Sequence, residues 1–291
     1  AEYNWLVGWY KEPNDGHPKI LHYTEGGPWF DGYRDCEYAD DWKKELINLF
    51  NSIGINEGQD IYATGNISKF ARARIPKEQI LKNINEALRS SIGHNGTIFS
   101  PAASMNLCNT SVPFDLKETP SHEMGPLAEY LRKQTNTLRS FHPFWSVCGN
   151  GLNSEILNNV TRHSYGLFSP WSYFLELDVM QVNFGLHPSK AVTLIHHIET
   201  TVGVPYRYTK EFIHPVIRSN KIVHEPFYMS VMYNGAGIEK RKKLNEHYFE
   251  AMDSSGLIHH AKHETGVDVW AFKMKDFYNT VKPYFLENIY N

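Results

Sequence analysis

The sequence predicts an α/β domain, and three observations carry that prediction. Apolar residues recur at three- and four-residue spacing in several windows, as they do on one face of a helix. Short apolar runs of strand length lie between those windows, and helices alternating with short strands are the signature of a sheet covered by helices. Finally, a chain of 291 residues that is 41% hydrophobic and 21% charged can bury a sizeable core in one or two packed domains.

Taken in order, residues 1–40 differ from the rest: Trp, Tyr, Gly and Pro are dense, and Gly26-Gly27-Pro28 interrupts any regular element. They read as an appendage to a domain spanning 41–291. Asp40 and Asp41 sit where an N-cap belongs, and Trp42, Leu46, Leu49, Phe50 and Ile53 follow at helical spacing until Gly54. Gln59 to Ala63 reads as a strand, and Gln79 to Ser90 as a helix that packs Ile80, Ile84 and Leu88 against it. Thr97 to Ser100 is a further strand. A helix over Gly125 to Lys133 turns Leu127, Tyr130 and Leu131 inward, and Trp145 to Gly149 reads as a buried strand. Ser189 to Thr201 contains no helix breaker and places Ser189 as an N-cap. Beyond it, Ile238 to Met252 and a segment from about Asp276 complete the helices.

Composition excludes several classes of function. A net charge of -3, from 29 Lys and Arg against 32 Asp and Glu, provides no basic field for nucleic acid. No apolar run approaches the roughly 18 residues a membrane span requires, and no signal peptide opens the chain, so a cytoplasmic location is expected. The chain begins with Ala1 rather than Met, as expected of a processed chain or part of something longer. Three cysteines, Cys36, Cys108 and Cys148, are too scattered for a disulfide framework or a zinc cluster. No Walker motif, dinucleotide-binding glycine run or nucleophile elbow occurs.

The most informative segment is the predicted helix Ser189 to Thr201. Thr193, His196 and Glu199 are spaced by three, so a hydroxyl, an imidazole and a carboxylate rise from one face while His197 points elsewhere. An imidazole can take a proton from an attacking amine or hydroxyl, and a neighbouring carboxylate stabilises the cation that forms. Spacing alone leaves open a structural histidine beside a solvated glutamate. Arg139 to Gly151 puts an arginine, Ser146 and His142 at the mouth of an apolar strand, where they serve either a phosphate and a reacting carbonyl or merely a strand-entry turn. His163 to Pro170 is a Gly and Ser-Pro turn of the kind that exposes backbone N–H groups. His259, His260, His263 and Glu264 have ligand-like density but no coherent metal geometry, so a surface helix end or turn is the reading and no metal is expected.

In sequence order these pieces resemble the aminoglycoside 3-N-acetyltransferase family from about Trp42 onward. The stretch INLFNSIGINEGQDIYATGNIS is similar to that family's opening helix, glycine turn and first strand. Phe114-Asp115, Thr119-Pro120-Ser121, Met124-Gly125 and LAEYLRK follow as in the family, then Arg139-Ser140 with His142-Pro143 and Ser146, then Gly166 with Ser169-Pro170. Thr193, His196 and Glu199 match its T-x-x-H-x-x-E, and Tyr206-Arg207-Tyr208 comes next. The resemblance implies a mixed sheet flanked by helices, acetyl-CoA as co-substrate without metal, and direct acyl transfer with His196 as general base beside Glu199 and Thr193. It further implies that the cofactor lies along Thr64, Gly65, Asn66 and Ser68, along Arg139, Ser140, His142 and Ser146, and along Ser169-Pro170. Where relatives commonly carry His-Ser-Ser after the first strand, this chain has Thr64-Gly65-Asn66, and His122 and Glu123 fill the gap before Met124-Gly125.

The appendage motif ILHYTEGGPWF, followed by DCEYADDW, resembles the carboxy-terminal end of certain nucleotide-sugar glycosyltransferases. The resemblance implies an upstream glycosyltransferase domain in the same polypeptide and an amino-sugar or glycan acceptor in surface-polysaccharide biosynthesis. The alternatives are aminoglycoside resistance and a non-catalytic glycan-binding module.

Overall fold

Alternation along each strand decides where the two faces of the sheet point. In the computed structural model, which describes residues 5–6, 21–22, 41–73, 76–233 and 248–288, Ile61 and Ala63 of one strand enter one buried cluster while Tyr62 between them enters another. The sheet therefore has a core on each side.

The elements run β1 (Trp5–Leu6), β2 (Leu21–His22), α1 (Asp41–Ser52), β3 (Ile61–Gly65), α2 (Lys77–Ile92), β4 (Thr97–Pro101), α3 (Gly125–Arg132), β5 (Leu138–Arg139), β6 (Val147–Gly151), α4 (Pro170–Glu176), β7 (Met180–Phe184), α5 (Leu194–Val202), β8 (Arg207–Arg218), β9 (Lys221–Met232), α6 (248–254), β10 (His259–Lys262), β11 (Asp268–Lys273) and α7 (Met274–Asn288). Seven strands form the mixed sheet β10-β11-β7-β3-β4-β6-β5, in which β7, β3 and β4 are parallel neighbours and the outer strands antiparallel. Helices α1, α2 and α3 cover one face through Leu46, Phe50, Ile80, Ile84, Leu88 and Leu127. Helices α4 to α7 cover the other through Trp171, Phe174, Ile198, Met252 and Phe277. The β8–β9 ribbon stands apart from the sheet over Phe114, Phe144, Val216 and Phe227.

The expected helices and strands up to residue 151 lie within a few positions of the observed ones. One boundary differs. Ser189 does not cap α5: it sits in a 3₁₀ turn over Pro188–Lys190, and α5 begins at Leu194 after Thr193. The cause is β7, whose buried Gln181 and Asn183 amides donate to the Ala191 carbonyl at 2.8 and 3.0 Å and draw it away from a helical ladder. His259 to Lys262 form an edge strand rather than a helix end, with His260 stacked on Trp270 and 3.2 Å from Asp268. Residues 234–247, most of the expected helix from Ile238, lie outside the described residues, as does nearly all of the expected appendage. Among the described residues no helix is long and apolar enough to cross a membrane.

Candidate active site

Helix α5 ends at Gly203, whose left-handed conformation (φ 75°) lets the chain turn back so that Tyr206 and Arg207 approach the helix they have just left. They meet Glu199, which is wholly buried. Its Oε1 accepts from the Tyr206 hydroxyl at 3.0 Å, and its Oε2 accepts from Arg207 Nε at 2.7 Å. The same Oε2 lies 2.9 Å from His196 Nδ1. Burying a carboxylate is costly unless it is paired and hydrogen-bonded, and this one is both.

His196 is the exposed end of the network, with 22% of its side chain accessible. Tyr165 packs edge-on against its ring, and Thr200 ties the His196 carbonyl to Ser230 through bonds of 2.8 and 3.0 Å. Arg207 Nη2 lies 2.8 Å from the same Nδ1 that faces Glu199. A guanidinium only donates and a carboxylate only accepts, so Nδ1 either donates to Glu199 or accepts from Arg207. Base chemistry at Nε2 requires the first tautomer, in which Nε2 carries the lone pair.

Thr193 supplies its carbonyl to the His196 N–H at 3.0 Å, but its side chain turns to the Tyr62 hydroxyl, whose pKa burial pushes up. There it lines a cavity of about 560 Å³ with Tyr62, Thr64, Gly65, Asn66, Pro101 and Lys190. A smaller recess shares Lys190, Ala191 and Thr193 and ends at His196. The cavity lies at the carboxyl ends of β3 and β4 and just beyond β7, the position where open α/β sheets hold ligands. Its floor is set by close backbone approach: Gly65 has φ +131°, and a Cβ there would stand 2.1 Å from the Phe184 carbonyl oxygen. Among the described residues no group of three His, Cys, Asp or Glu side chains is placed to hold a metal ion.

Residues 73–285 match the family profile described as aminoglycoside 3-N-acetyltransferase. The chain belongs to the aminoglycoside 3-N-acetyltransferase family. The members of this family are acyl-CoA-dependent N-acetyltransferases. The chain also shares its fold with aminoglycoside acetyltransferase AAC(3)-Xa, at TM-score 0.74 and 15% identity over 85% of this chain and 93% of that one. AAC-IIIb in a binary complex with CoASH superposes at TM-score 0.72 and 18% identity, covering 85% and 97%. AAC-VIa bound to sisomicin does so at 0.71 and 17%, covering 86% and 98%. Among curated proteins, Protein CDI of Arabidopsis thaliana is 56% identical over 36 residues, 12% of this chain and 14% of that protein.

Of the positions expected to bind the cofactor or take part in catalysis, Thr64, Gly65, Asn66, Thr193 and His196 share the cavity and its recess. Ser68 is exposed beyond it, its backbone N–H held by Asn66 Oδ1 at 2.8 Å. The others have partners inside the protein. Arg139 donates to Ser146 Oγ at 2.9 Å and to the Thr119 and Ala102 carbonyls at 2.5 Å, and lines a different cavity. Ser140 Oγ accepts from the Val147 N–H, and His142 Nδ1 from the Trp145 N–H, at 2.9 and 3.0 Å. Burial holds the His142 imidazole down to about 4. Ser169 donates to the Gly166 carbonyl at 2.6 Å, Pro170 is buried at the start of α4, and the Gly166 N–H is taken by His197 Nδ1 at 3.3 Å. Sequence reasoning assigned no role to Lys190, Tyr206 or Arg207. The signal for Arg207 is that Glu199, on a helix with no lysine or arginine of its own, needs a cation from outside it.

Proposed function

We propose that the chain transfers an acetyl group from acetyl-CoA to the amino group of an amino sugar, with His196 as general base. The observation that carries this reading is the position of His196, in the recess beside the Thr64–Asn66 cavity, with Nδ1 against a buried carboxylate. The cavity suits the donor: Pro101, Met124, Pro126 and Leu186 offer apolar walls to a pantetheine-like arm, and Lys190 offers a cation for phosphate. The CoASH complex of AAC-IIIb and the sisomicin complex of AAC-VIa support the choice of donor and acceptor.

In this mechanism His196 Nε2 takes the proton from the acceptor amine as its nitrogen attacks the thioester carbonyl. Glu199 holds the imidazolium that results. The carbon–sulfur bond then breaks, and His196 returns the proton to the departing thiolate. Tyr206 and Arg207 keep Glu199 ionised and oriented, and so act as positioning residues. The acceptor class includes the aminoglycoside drugs. The surface-polysaccharide setting rests on the N-terminal motif, of which only Leu21 and His22 are among the described residues.

The test is thiol release from acetyl-CoA over a panel of amino sugars, nucleotide-linked amino sugars and aminoglycosides. His196→Ala should lower kcat by about 10²- to 10⁴-fold, the usual worth of general-base help, while acetyl-CoA binding persists in a calorimeter. Near-normal turnover by a folded His196→Ala protein would refute the assignment.

A further inference from the structure

The β8–β9 ribbon has one largely polar face, and beyond Arg207 the transfer step leaves that face unused. Because side chains alternate along a strand, Arg207, Thr209 and Glu211 share one face with Met232, Ser230 and Tyr228 opposite them. The other face sends Phe212, Phe227 and Met229 into an apolar cluster. Residues 162–164 add a third rung, since the Tyr228 N–H donates to the Arg162 carbonyl and the Ser164 N–H to the Tyr228 carbonyl, each at 2.9 Å. This pairing sets His163 beside Tyr228, and the two rings stack at 4.6 Å and 16°. Glu211 is the direct cross-strand partner of Tyr228, so its carboxylate stands beside the phenol.

Glu211 and His163 are both exposed, so this is open surface rather than core. It is also continuous with the candidate active site: Ser230 meets Thr200 of α5, Arg207 meets Glu199, and Tyr165, two residues past His163, packs on His196. Tyr228 lies two residues beyond Ser230, roughly 7 Å along the strand, about the width of one sugar ring. The nearby cations Arg162 and Arg218 are paired with Glu225 and do not neutralise this face.

We propose that His163, Tyr228 and Glu211 form a distal acceptor subsite, in which a further ring of a cationic amino sugar lies on the His163–Tyr228 stack and sets an ammonium against Glu211 while the reacting amine is at His196. The proposal rests on the amino-sugar reading above. An ammonium near an aromatic face and a carboxylate gains from both, and the cross-strand pairing of Glu211 with Tyr228 keeps the two side by side.

The experiment compares Glu211→Gln and Tyr228→Phe with the wild type, using sisomicin as a multi-ring acceptor and glucosamine as a single-ring one. Lys221→Ala, at the tip of the ribbon, is the control and should match the wild type. Glu211→Gln should raise the KM for sisomicin about tenfold, a loss of about 1.4 kcal/mol, and at least fivefold more than the KM for glucosamine. Tyr228→Phe should give a smaller rise in the same direction. Calorimetric titration of sisomicin without acetyl-CoA should show the same ratio in Kd. Sisomicin binding that depends on Glu211 but yields no transfer would sustain the subsite and sink the transfer reading. Transfer to sisomicin with KM and Kd indifferent to Glu211, or no sisomicin binding at all, would overturn the subsite.

Discussion

Arg207→Met puts the buried network under its most direct strain. Glu199 is fully buried and Arg207 has only 8% of its side chain exposed, so their ion pair is largely out of water. Methionine fills part of the space of the arginine stem but leaves the carboxylate to the Tyr206 hydroxyl and the His196 ring. Removing one partner of such a pair costs about 3–5 kcal/mol, a large share of the roughly 5–15 kcal/mol that holds a domain folded. Urea unfolding at pH 8 should show that loss as a lower midpoint with an unchanged slope.

The double variant Glu199→Gln/Arg207→Met separates charge from packing. If the lone buried charge is the cost, the double variant is more stable than Arg207→Met alone by about 1–3 kcal/mol, a coupling typical of residues in one network. A loss below about 1 kcal/mol, together with strict additivity in the cycle, would refute the account of Glu199 as a charge that needs Arg207.

Two further outcomes follow from buried groups and a tight turn. Burial holds His142 and His197 down to about 4 from 6.5, so the unfolded chain takes up protons first as pH falls. Their contribution is complete above 6.5 and is lost between 6.5 and 4, by at most roughly 3 kcal/mol for each; urea midpoints flat across that window would count against both. Gly65→Ala must relieve a 2.1 Å approach to the Phe184 carbonyl oxygen at φ +131°. It should cost more than about 2 kcal/mol, from backbone strain plus displacement of the loop. It should also weaken acetyl-CoA binding in a calorimeter, and unaltered affinity would remove the loop from the cofactor site.

What the sequence made legible follows from where its physical signals are strong. Leu46 and Phe50, or Ile80, Ile84 and Leu88, lie on faces that only a helix lines up, and those helices stand where their spacing put them. The strand β7 was invisible because Gln181 and Asn183 look like surface residues, yet both are fully buried and spend their amides on Ala191 rather than on water. The same two side chains displaced the start of α5. The ribbon was missed for two reasons. Its strands are rich in charge, and its turn uses Ser219 and Asn220 at φ 48° and 62° where Asn-Gly would have announced a hairpin. His196 and Glu199 stand out in the sequence as a candidate pair because both lie on one helix, and Arg207 does not, because its place beside them depends on the reversal at Gly203.

The topology explains why these pieces converge. β3 leads through α2 to β4 on one side, whereas β7, parallel to β3 on its other side, arrives after the antiparallel excursion through β5 and β6. The chain thus leaves the carboxyl ends of β3 and β7 in different directions, and a crevice must open between them. Gly65 closes its floor against Phe184, while Gln181 and Asn183 pin Ala191 over its rim. Four residues after that pinned carbonyl α5 is under way, and five residues after it comes His196. The imidazole is therefore positioned twice: by the strand that fixes the start of its helix, and by the carboxylate one turn further on that fixes its ring. Loosening Gln181 or Asn183 should move His196 relative to the cavity without touching Glu199, and so impair transfer through alignment rather than through the base itself.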